Sequence, residues 1–285
     1  MAIKIDGKAL AEKICAEIAE KTAKLPRRPV LAAILVGEDP ASRIYVRNKE
    51  KDCARCGIES RRFDLPADTT QEKLLKLIDE LNGDAAIDGI LVQLPLPEQI
   101  DETVIINAIR PEKDIDAFHP TNVGRMIVGE PLLWPCTPAG ILEMFRAYGI
   151  SLDGKRCVMV GRSNIVGRPM GLLMLRENGT VMFCHTHTPD LAEITRQADV
   201  LVVAAGCPEL IRGDMVKDGV VVIDVAMNRD EATGKFFGDV VFSEVEPKAS
   251  FITPVPGGVG PMTRAMLMKN ILTAAEMNLH PTAGV

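Results

Sequence analysis

The sequence predicts an α/β protein of two domains, each built around a mostly parallel sheet. Three observations carry that prediction. Continuous apolar runs, VLAAILV at 30–36 among them, alternate with stretches whose apolar residues recur at helical spacing. The alternation breaks over 111–137, where prolines stand at 111, 120, 131 and 135, and it restarts after Gly154. At 285 residues the chain is long enough for two domains of ordinary size, each with a full core.

Residues 6–24 carry apolar side chains at 10, 14 and 18, one face of an amphipathic helix that starts at Asp6 or Gly7. The run 30–36 has no polar alternation, so it reads as a strand buried on both faces. Residues 40–56 form the next helix, with Gly57 as its stop, and 59–63 a short strand. A helix over 71–81 ends at Asn82-Gly83, a third strand covers 87–92, and a helix over 102–109 closes before Pro111. Strand, helix and strand in this order imply parallel pairing through right-handed crossovers.

Past the proline-rich break, Thr137 and Pro138 have the form of an N-cap and a first-turn proline for a helix to Tyr148. The second domain then runs strand 156–160, helix 167–177, strand 180–184, helix 189–197, and strands 199–204 and 219–224. The loop ITPVPGGVGPMT leads into a final helix from Pro261. The expected domains are 1–137 and 138–260, with the terminal helix, 261–285, packing back onto the first.

Composition narrows the partners. Apolar residues make up 47% and charged residues 25%, an ordinary globular balance, and the net charge of −6 gives no support for nucleic-acid or membrane binding. No apolar run approaches the roughly 20 residues that span a bilayer. The first residues, MAIKIDGKALAEK, lack the pattern of a secretion signal, and seven scattered cysteines fit reduced thiols in the cytoplasm. Cys53-Ala-Arg-Cys56 is a C-x-x-C that lies in a helical pattern with no second pair at zinc spacing, so a helix-face pair outweighs a redox or metal role. His185 and His187 would share one face of a strand, with no further ligand cluster beside them, and no metal is expected.

The stretch VMVGRSNIVGRPM at 158–170 has the context of a Rossmann-like nucleotide site: a buried strand before it, a helix after it, and another strand 20 residues on. Its spacing departs from the usual fingerprint, with Ser163 and Val166 where glycines would stand and the next glycine at Gly167. Gly161 permits the tight turn, and Gly167 lets the helix start close to the strand. The free N–H groups and positive end of that helix attract phosphate, and Arg162 adds a forked cation. The next strand ends in TVMFCHTHT, with no carboxylate to bond an adenosine 2′-hydroxyl. A 2′-phosphate would instead meet Arg162, His185 and Thr186, which favours NADP over NAD. The alternative is a Rossmann-like domain with a non-nucleotide role.

In the first half, Ser42, Tyr45 and Lys49 stand on one helix face. A solvated face is the ordinary reading. On an inward face, a lysine beside Tyr45 would be partly desolvated and suited to acid/base work. DGILVQLPLP ends a buried strand with Gln93, where α/β sheets place ligands, and PEKDIDAFHP supplies Asp114 and Asp116 just beyond. This set suits a flat, hydrogen-bonding heterocycle.

The blocks VGEDPASRIYVRNKEKDCARCGI, DGILVQLPLP, PEKDIDAFHP, PCTPAGI, VGRSNIVGRPM, GDMVKDGVVVIDV and ITPVPGGVGPMT occur in order over nearly the whole chain. Together they closely resemble the bifunctional methylenetetrahydrofolate dehydrogenase/cyclohydrolase family (the bacterial FolD type). The resemblance implies a catalytic domain and an NADP-binding domain with a folate cleft between them, commonly a homodimer, and a supply of one-carbon units for purine biosynthesis. It implies that Lys49 is the central catalytic lysine, hydrogen-bonded by Gln93, that Tyr45 stacks on the tetrahydrofolate, and that Asp116 bonds its pterin. Ser42, Pro256, Gly257 and Gly258 would line the folate site. Gly161, Arg162, Ser163, Gly167, His185, Thr186, Val225 and Val259 would hold the cofactor.

The sequence departs from the family pattern at Ala117 and Ala226, where glycines are usual, and at Thr186, where serine is commoner. A position needing φ > 0 would strain an alanine. Competing readings are a monofunctional dehydrogenase using NADP or NAD, a non-catalytic folate- or nucleotide-binding protein, and a shikimate-type dehydrogenase. Lys49 and Gln93 argue against the first two, and the QLPLP and PGGVGP blocks against the last.

Overall fold

The computed structural model describes residues 1–230 and 233–280. The chain runs β1 (Ile3–Lys4), α1 (Gly7–Thr22), β2 (Val30–Val36), α2 (Pro40–Arg55), β3 (Glu59–Leu65), α3 (Gln71–Gly83), β4 (Gly89–Val92), α4 (Glu102–Ala108), α5 (Pro120–Val128) and α6 (Cys136–Ala147). It continues with β5 (Arg156–Val160), α7 (Gly167–Arg176), β6 (Thr180–Cys184), α8 (Leu191–Thr195), β7 (Val200–Val203), β8 (Val221–Asp224), β9 (Asn228–Arg229), β10 (Phe236–Phe237), α9 (Phe242–Val245), β11 (Phe251–Ile252) and α10 (Val259–Leu279). Among the described residues no helix is long and apolar enough to cross a membrane.

The chain divides into two compact units, one of residues 12–136 with 264 onward, the other of residues 1–11 with 137–263. The expected boundary at 137/138 lies one residue away, but the first eleven residues belong with the second unit. The cause is strand pairing: β1 lies parallel to β11, with Ile3 opposite Phe251, so it extends the later sheet. The division falls inside α10, so that helix belongs wholly to neither expected domain. The end of the expected helix, 281–285, lies outside the described residues.

The first unit has a three-stranded parallel sheet in the order β3-β2-β4. Every residue of the central β2 is buried, as its unbroken apolar run requires. One face carries Val30, Ala32, Ile34 and Val36 against Leu74, Ile78 and Leu81 of α3 and Ile105 of α4. The second unit has a six-stranded parallel sheet, β1-β11-β8-β7-β5-β6. Its order turns between β5 and β7, and an open α/β sheet binds ligands beyond the strand ends at such a point.

Local differences from the expected elements have identifiable causes. The break 111–137 contains α5, with His119 as N-cap, Pro120 in its first turn, and Gly129 closing it at φ +89°. A span of only nine residues is too short for its periodicity to stand out among the prolines. Helix α6 starts at Cys136, so Thr137 lies inside it, and its Oγ1 is 2.9 Å from Thr263 Oγ1. His185 and His187 lie beyond β6, whose last residue is Cys184. They occupy a turn in which Thr188 N donates to His185 O, so they share no strand face.

Candidate active site

The predicted residues gather into two groups, one in each unit. In the first unit, Lys49 comes from the third turn of α2 and Gln93 from the residue after β4. Lys49 Nζ donates to Gln93 Oε1 at 3.2 Å. The amide of Gln93 is fixed because its Nε2 donates to Leu94 O at 2.6 Å, which leaves the carbonyl oxygen turned to the lysine. The backbone of Gln93 is anchored in turn, its N–H donating to Ile34 O of β2 at 2.9 Å. A sheet hydrogen bond thus sets the position of a side chain.

Asp116 and Cys136 share this environment. Burial raises the pKa of the half-buried Asp116 carboxyl above the usual carboxylate range, and the charge of Lys49 opposes that rise. Burial first, and then the charge of Asp116, push the Cys136 thiol well up, again against Lys49. Behind them Asn270 of α10, itself buried, donates to Ile115 O and Trp134 O, both at 2.7 Å. The expected helix face of Ser42, Tyr45 and Lys49 is uneven. Ser42 is buried, its N–H donating to the capping carboxylate of Asp39 at 2.7 Å, whereas Tyr45 is 45% exposed.

The neighbouring C-x-x-C is buried at both cysteines, and burial pushes the Cys53 thiol up to about 12. That is the setting of a packed pair rather than a reactive one. Among the described residues no group of three or more histidines, cysteines or carboxylates could hold a metal.

In the second unit, the turn at 161–167 follows the expected path with one difference. Gly161 sits at φ +119°, and a Cβ there would collide with Ala204 O at the end of β7. A Cβ on Gly167 would meet Gly161 O. Both glycines are therefore required by close backbone approach. The N–H groups at the start of α7, expected to be free, are engaged: Val166 N, just before the helix, and Gly167 N both donate to Ser163 Oγ at 3.2 Å, and Arg168 N donates to Ser163 O at 3.0 Å. The longer turn brings the Ser163 hydroxyl over the helix start, where it acts as the cap. What remains to attract an anion is the helix dipole with the exposed Arg162 and Arg168, the latter donating to Asn164 Oδ1 at 2.8 Å.

At the end of β6, His185 Nδ1 accepts from His187 N at 3.1 Å, so neutral His185 carries its proton on Nε2. Thr186 is exposed, while Val225 is half-buried and donates its N–H to Val203 O at 2.9 Å. In the PVPGGVGP loop, Pro256 is exposed and Gly257 has φ +106°. Gly258 and Val259 are buried. Gly257 O accepts from Lys8 N at 3.1 Å, and a Cβ on Gly7 would collide with Gly258 O.

Two carboxylates escaped the sequence reading. Asp224, the last residue of β8, accepts from Ala226 N, Asp239 N and Val240 N at 3.2, 3.1 and 2.9 Å, and burial pushes its carboxyl up to about 6. Asp239 accepts from Ala205 N and Gly206 N, both at 2.8 Å. Together they tie the loops after β7 and β8 to the segment before α9. The only signal was an acidic residue closing an apolar strand, which by itself suggests solvent exposure.

Ala117 does stand at φ +59°, in the region where glycine is usual, and it is fully buried. Ala226 is not in that region, so alanine carries no backbone strain there.

Comparison with known proteins matches two domain models: the tetrahydrofolate dehydrogenase/cyclohydrolase catalytic domain over residues 5–116, and the NAD(P)-binding domain of the same enzymes over 135–279. The bifunctional protein FolD of Agathobacter rectalis is 53% identical over 279 residues, which covers 97% of this chain and 100% of the relative. The crystal structure of the bifunctional FolD dehydrogenase/cyclohydrolase from Campylobacter jejuni superposes with a TM-score of 0.95 at 50% identity, covering 97% of this chain and 99% of that one. The Trypanosoma brucei enzyme, solved with NADP cofactor and inhibitor, gives a TM-score of 0.93 at 41% identity over 98% and 99% of the two chains. With both domain models matched and relatives of this identity along nearly its full length, the chain belongs to the tetrahydrofolate dehydrogenase/cyclohydrolase family.

Proposed function

We infer that Lys49, Gln93 and Asp116 handle the folate in a bifunctional, NADP-dependent methylenetetrahydrofolate dehydrogenase and methenyltetrahydrofolate cyclohydrolase. The protein oxidises 5,10-methylenetetrahydrofolate to the 5,10-methenyl form and hydrolyses that to 10-formyltetrahydrofolate. The observation that carries the residue assignment is the Lys49–Gln93 hydrogen bond of 3.2 Å at the carboxyl end of a buried strand.

The cofactor would be held by the turn at Gly161, Arg162, Ser163 and Gly167, with His185, Thr186, Val225 and Val259. The turn has the close strand-to-helix packing that a dinucleotide turn uses, since a Cβ at Gly161 would meet Ala204 O and one at Gly167 would meet Gly161 O. Bound NADP supplies the hydride acceptor. Arg162 and the Nε2–H of His185 offer donors to a 2′-phosphate, and the HTHT stretch directly after β6 has no carboxylate to repel it.

The chain's own groups orient the substrate and move protons. Asp116 accepts from the N–H groups of the pterin edge, and the exposed Tyr45 ring stacks on the folate. In hydrolysis, the Lys49 amine takes a proton from the water that attacks the methenyl carbon. It then returns a proton to the folate nitrogen released on ring opening. Gln93 holds Nζ in place through both transfers, because its oxygen is already turned to the lysine.

The homodimer is part of this reading. It is supported by Met182 and Phe183, 46% and 40% exposed on the edge strand β6, and by Leu175, 58% exposed on α7. Free thiols at all seven cysteines suit the cytoplasm, and the net charge of −6 gives no support for binding nucleic acid or membranes. The 10-formyl product suits the one-carbon demand of purine biosynthesis.

The test supplies 5,10-methylenetetrahydrofolate with NADP or NAD and follows reduced cofactor and the methenyl species together. Reduction without methenyl hydrolysis would assign a monofunctional dehydrogenase. Lys49→Met is expected to lower the hydrolytic rate by roughly 100-fold or more while NADP binding stays near wild type. Hydrolysis at the wild-type rate in that variant would refute the lysine's role.

A further inference from the structure

Asp116 lies in a turn that also holds two more deeply placed charges. Lys113 is 8% exposed and Asp114 only 3%. The Lys113 ammonium donates to Leu81 O and Asn82 O at 2.9 Å and to Asp84 O at 2.7 Å. It thereby satisfies the carbonyls at the end of α3, where a cation is also favoured by the helix dipole. Asp114 Oδ2 accepts from His119 N at 2.7 Å and Asn122 Nδ2 at 2.9 Å. Asn122, 1% exposed, donates as well to Pro111 O at 2.9 Å.

The backbone closes the same turn from both ends. Ile90 N of β4 donates to Lys113 O at 2.8 Å, Asp114 N to Arg110 O at 3.0 Å, and Ala117 N to Asp114 O at 3.0 Å. Gly89 lies so close to Ile115 that a Cβ would press on its Cγ2 at 2.5 Å. The strand that ends beside Gln93 therefore also fixes the turn that presents Asp116.

The Asp114 carboxylate is not needed to cap α5. Helix α5 already has its cap, since His119 Nδ1 accepts from Thr121 N at 3.0 Å. Backbone bonds alone would close a turn of this length. Burying a lysine and an aspartate costs free energy that an apolar pair would not incur. What the two charges add is a fixed direction for the residue they lead into.

We propose that Lys113 and Asp114 are positioning residues, which fix the Asp116 carboxylate relative to Lys49 and Gln93 and so set folate affinity without touching the substrate. This rests on the assignment of Asp116 to the folate. The two residues act through the turn, one anchored on α3 and the other on the segment entering α5.

Steady-state kinetics of methylenetetrahydrofolate oxidation by the full chain test the idea, with Asp114→Ala, Asp114→Asn, Asp116→Asn and the double variant Asp114→Ala/Asp116→Asn. Asp114→Ala should raise KM for the folate roughly tenfold. Its kcat and its KM for NADP should stay within about twofold of wild type. Asp114→Asn, which keeps an acceptor for His119 N, should recover most of the affinity. In the Asp116→Asn background, Asp114→Ala should add little, because the group it positions is gone. Full additivity in that cycle, or a fall in kcat with folate KM unchanged, would overturn the proposal. If Asp116→Asn alone leaves folate KM at the wild-type value, the folate assignment of Asp116 fails instead. Should Asp114→Ala not fold, the same cycle with Lys113→Met decides, with an unchanged folate KM counting against positioning.

Discussion

The Lys49 centre and the turn at 161–167 solve different problems in different materials. The first is made of side chains: a lysine, an amide and a carboxylate, held by backbone bonds one layer behind them. The second is made of backbone, and its side chains mostly hold the backbone in place. Gly161 is there because Ala204 O leaves no room for a Cβ. Ser163, which resembles a ligand, spends its hydroxyl on the N–H groups of Val166 and Gly167 at the start of the following helix. A site of side chains should lose its chemistry when a functional group is removed. A site of backbone should fail when a single methyl is added.

That contrast can be broken at several points, beyond the hydrolytic loss predicted for Lys49→Met. Gly161→Ala should have the largest effect in the second unit. It forces alanine to φ +119° and against Ala204 O, which should cost roughly 2 kcal/mol or more. Calorimetry should show lower stability, and NADP titration a loss of binding. A variant that binds NADP normally would mean the backbone approach is not what shapes the turn. Arg162→Ala is the milder test of a side chain in a backbone site. KM for NADP should rise roughly tenfold while KM for NAD barely changes. Equal effects on both cofactors would remove Arg162 from 2′-phosphate recognition.

The pH dependence of stability compares the two units directly, since each buries one carboxyl raised to about 6, Asp114 and Asp224. In both, burial is the main cause, and the native state holds the proton more tightly than the unfolded chain. Each therefore contributes stability that is fully present below the usual carboxylate pKa of about 3.9 and is lost as pH rises through about 6. Asp224→Asn cannot ionise, so the melting-temperature gap between wild type and this variant should narrow from pH 5 to pH 7. A constant gap would show that Asp224 ionises as it would in water.

The smallest effect is expected at Ala117, which lies at φ +59°. Ala117→Gly should relieve roughly 1 kcal/mol of backbone strain, partly offset by the entropy glycine adds to the unfolded chain. Thermal denaturation should rise by about 2 °C or less. A fall would mean the buried methyl contributes more by packing than the strain costs.

Legibility followed the range of the interactions. The fully buried β2 was readable because a short unbroken apolar run between turn residues suits a strand covered on both faces. Helix α3 was readable because its period and its stop at Asn82-Gly83 agree. Helix α5 was hidden by its length, and β1 and β11 by having two residues each. Such strands exist only because a partner is there. At the site, Lys49 and Gln93 could be picked out by residue type at the right places in a strand and helix. Lys113, Asp224 and Asp239 could not, and Asp114 was read as a ligand candidate rather than as an anchor. Charged residues in loops usually face water, and only the backbone groups gathered around them reveal that they are buried anchors.

The sequence by itself determined the α/β class, the order of the main elements, the family and the residue types able to do the chemistry. All of these rest on local periodicity or on blocks of adjacent residues. Tertiary structure alone decided that the first eleven residues join the later sheet, that Ser163 caps a helix, and which carboxylates are buried. These depend on what lies across a sheet or behind a turn, at separations of up to 248 residues in the pairing of Ile3 with Phe251. No local pattern carries that information, because it arises only when distant segments share one volume and each polar group must find its partner there.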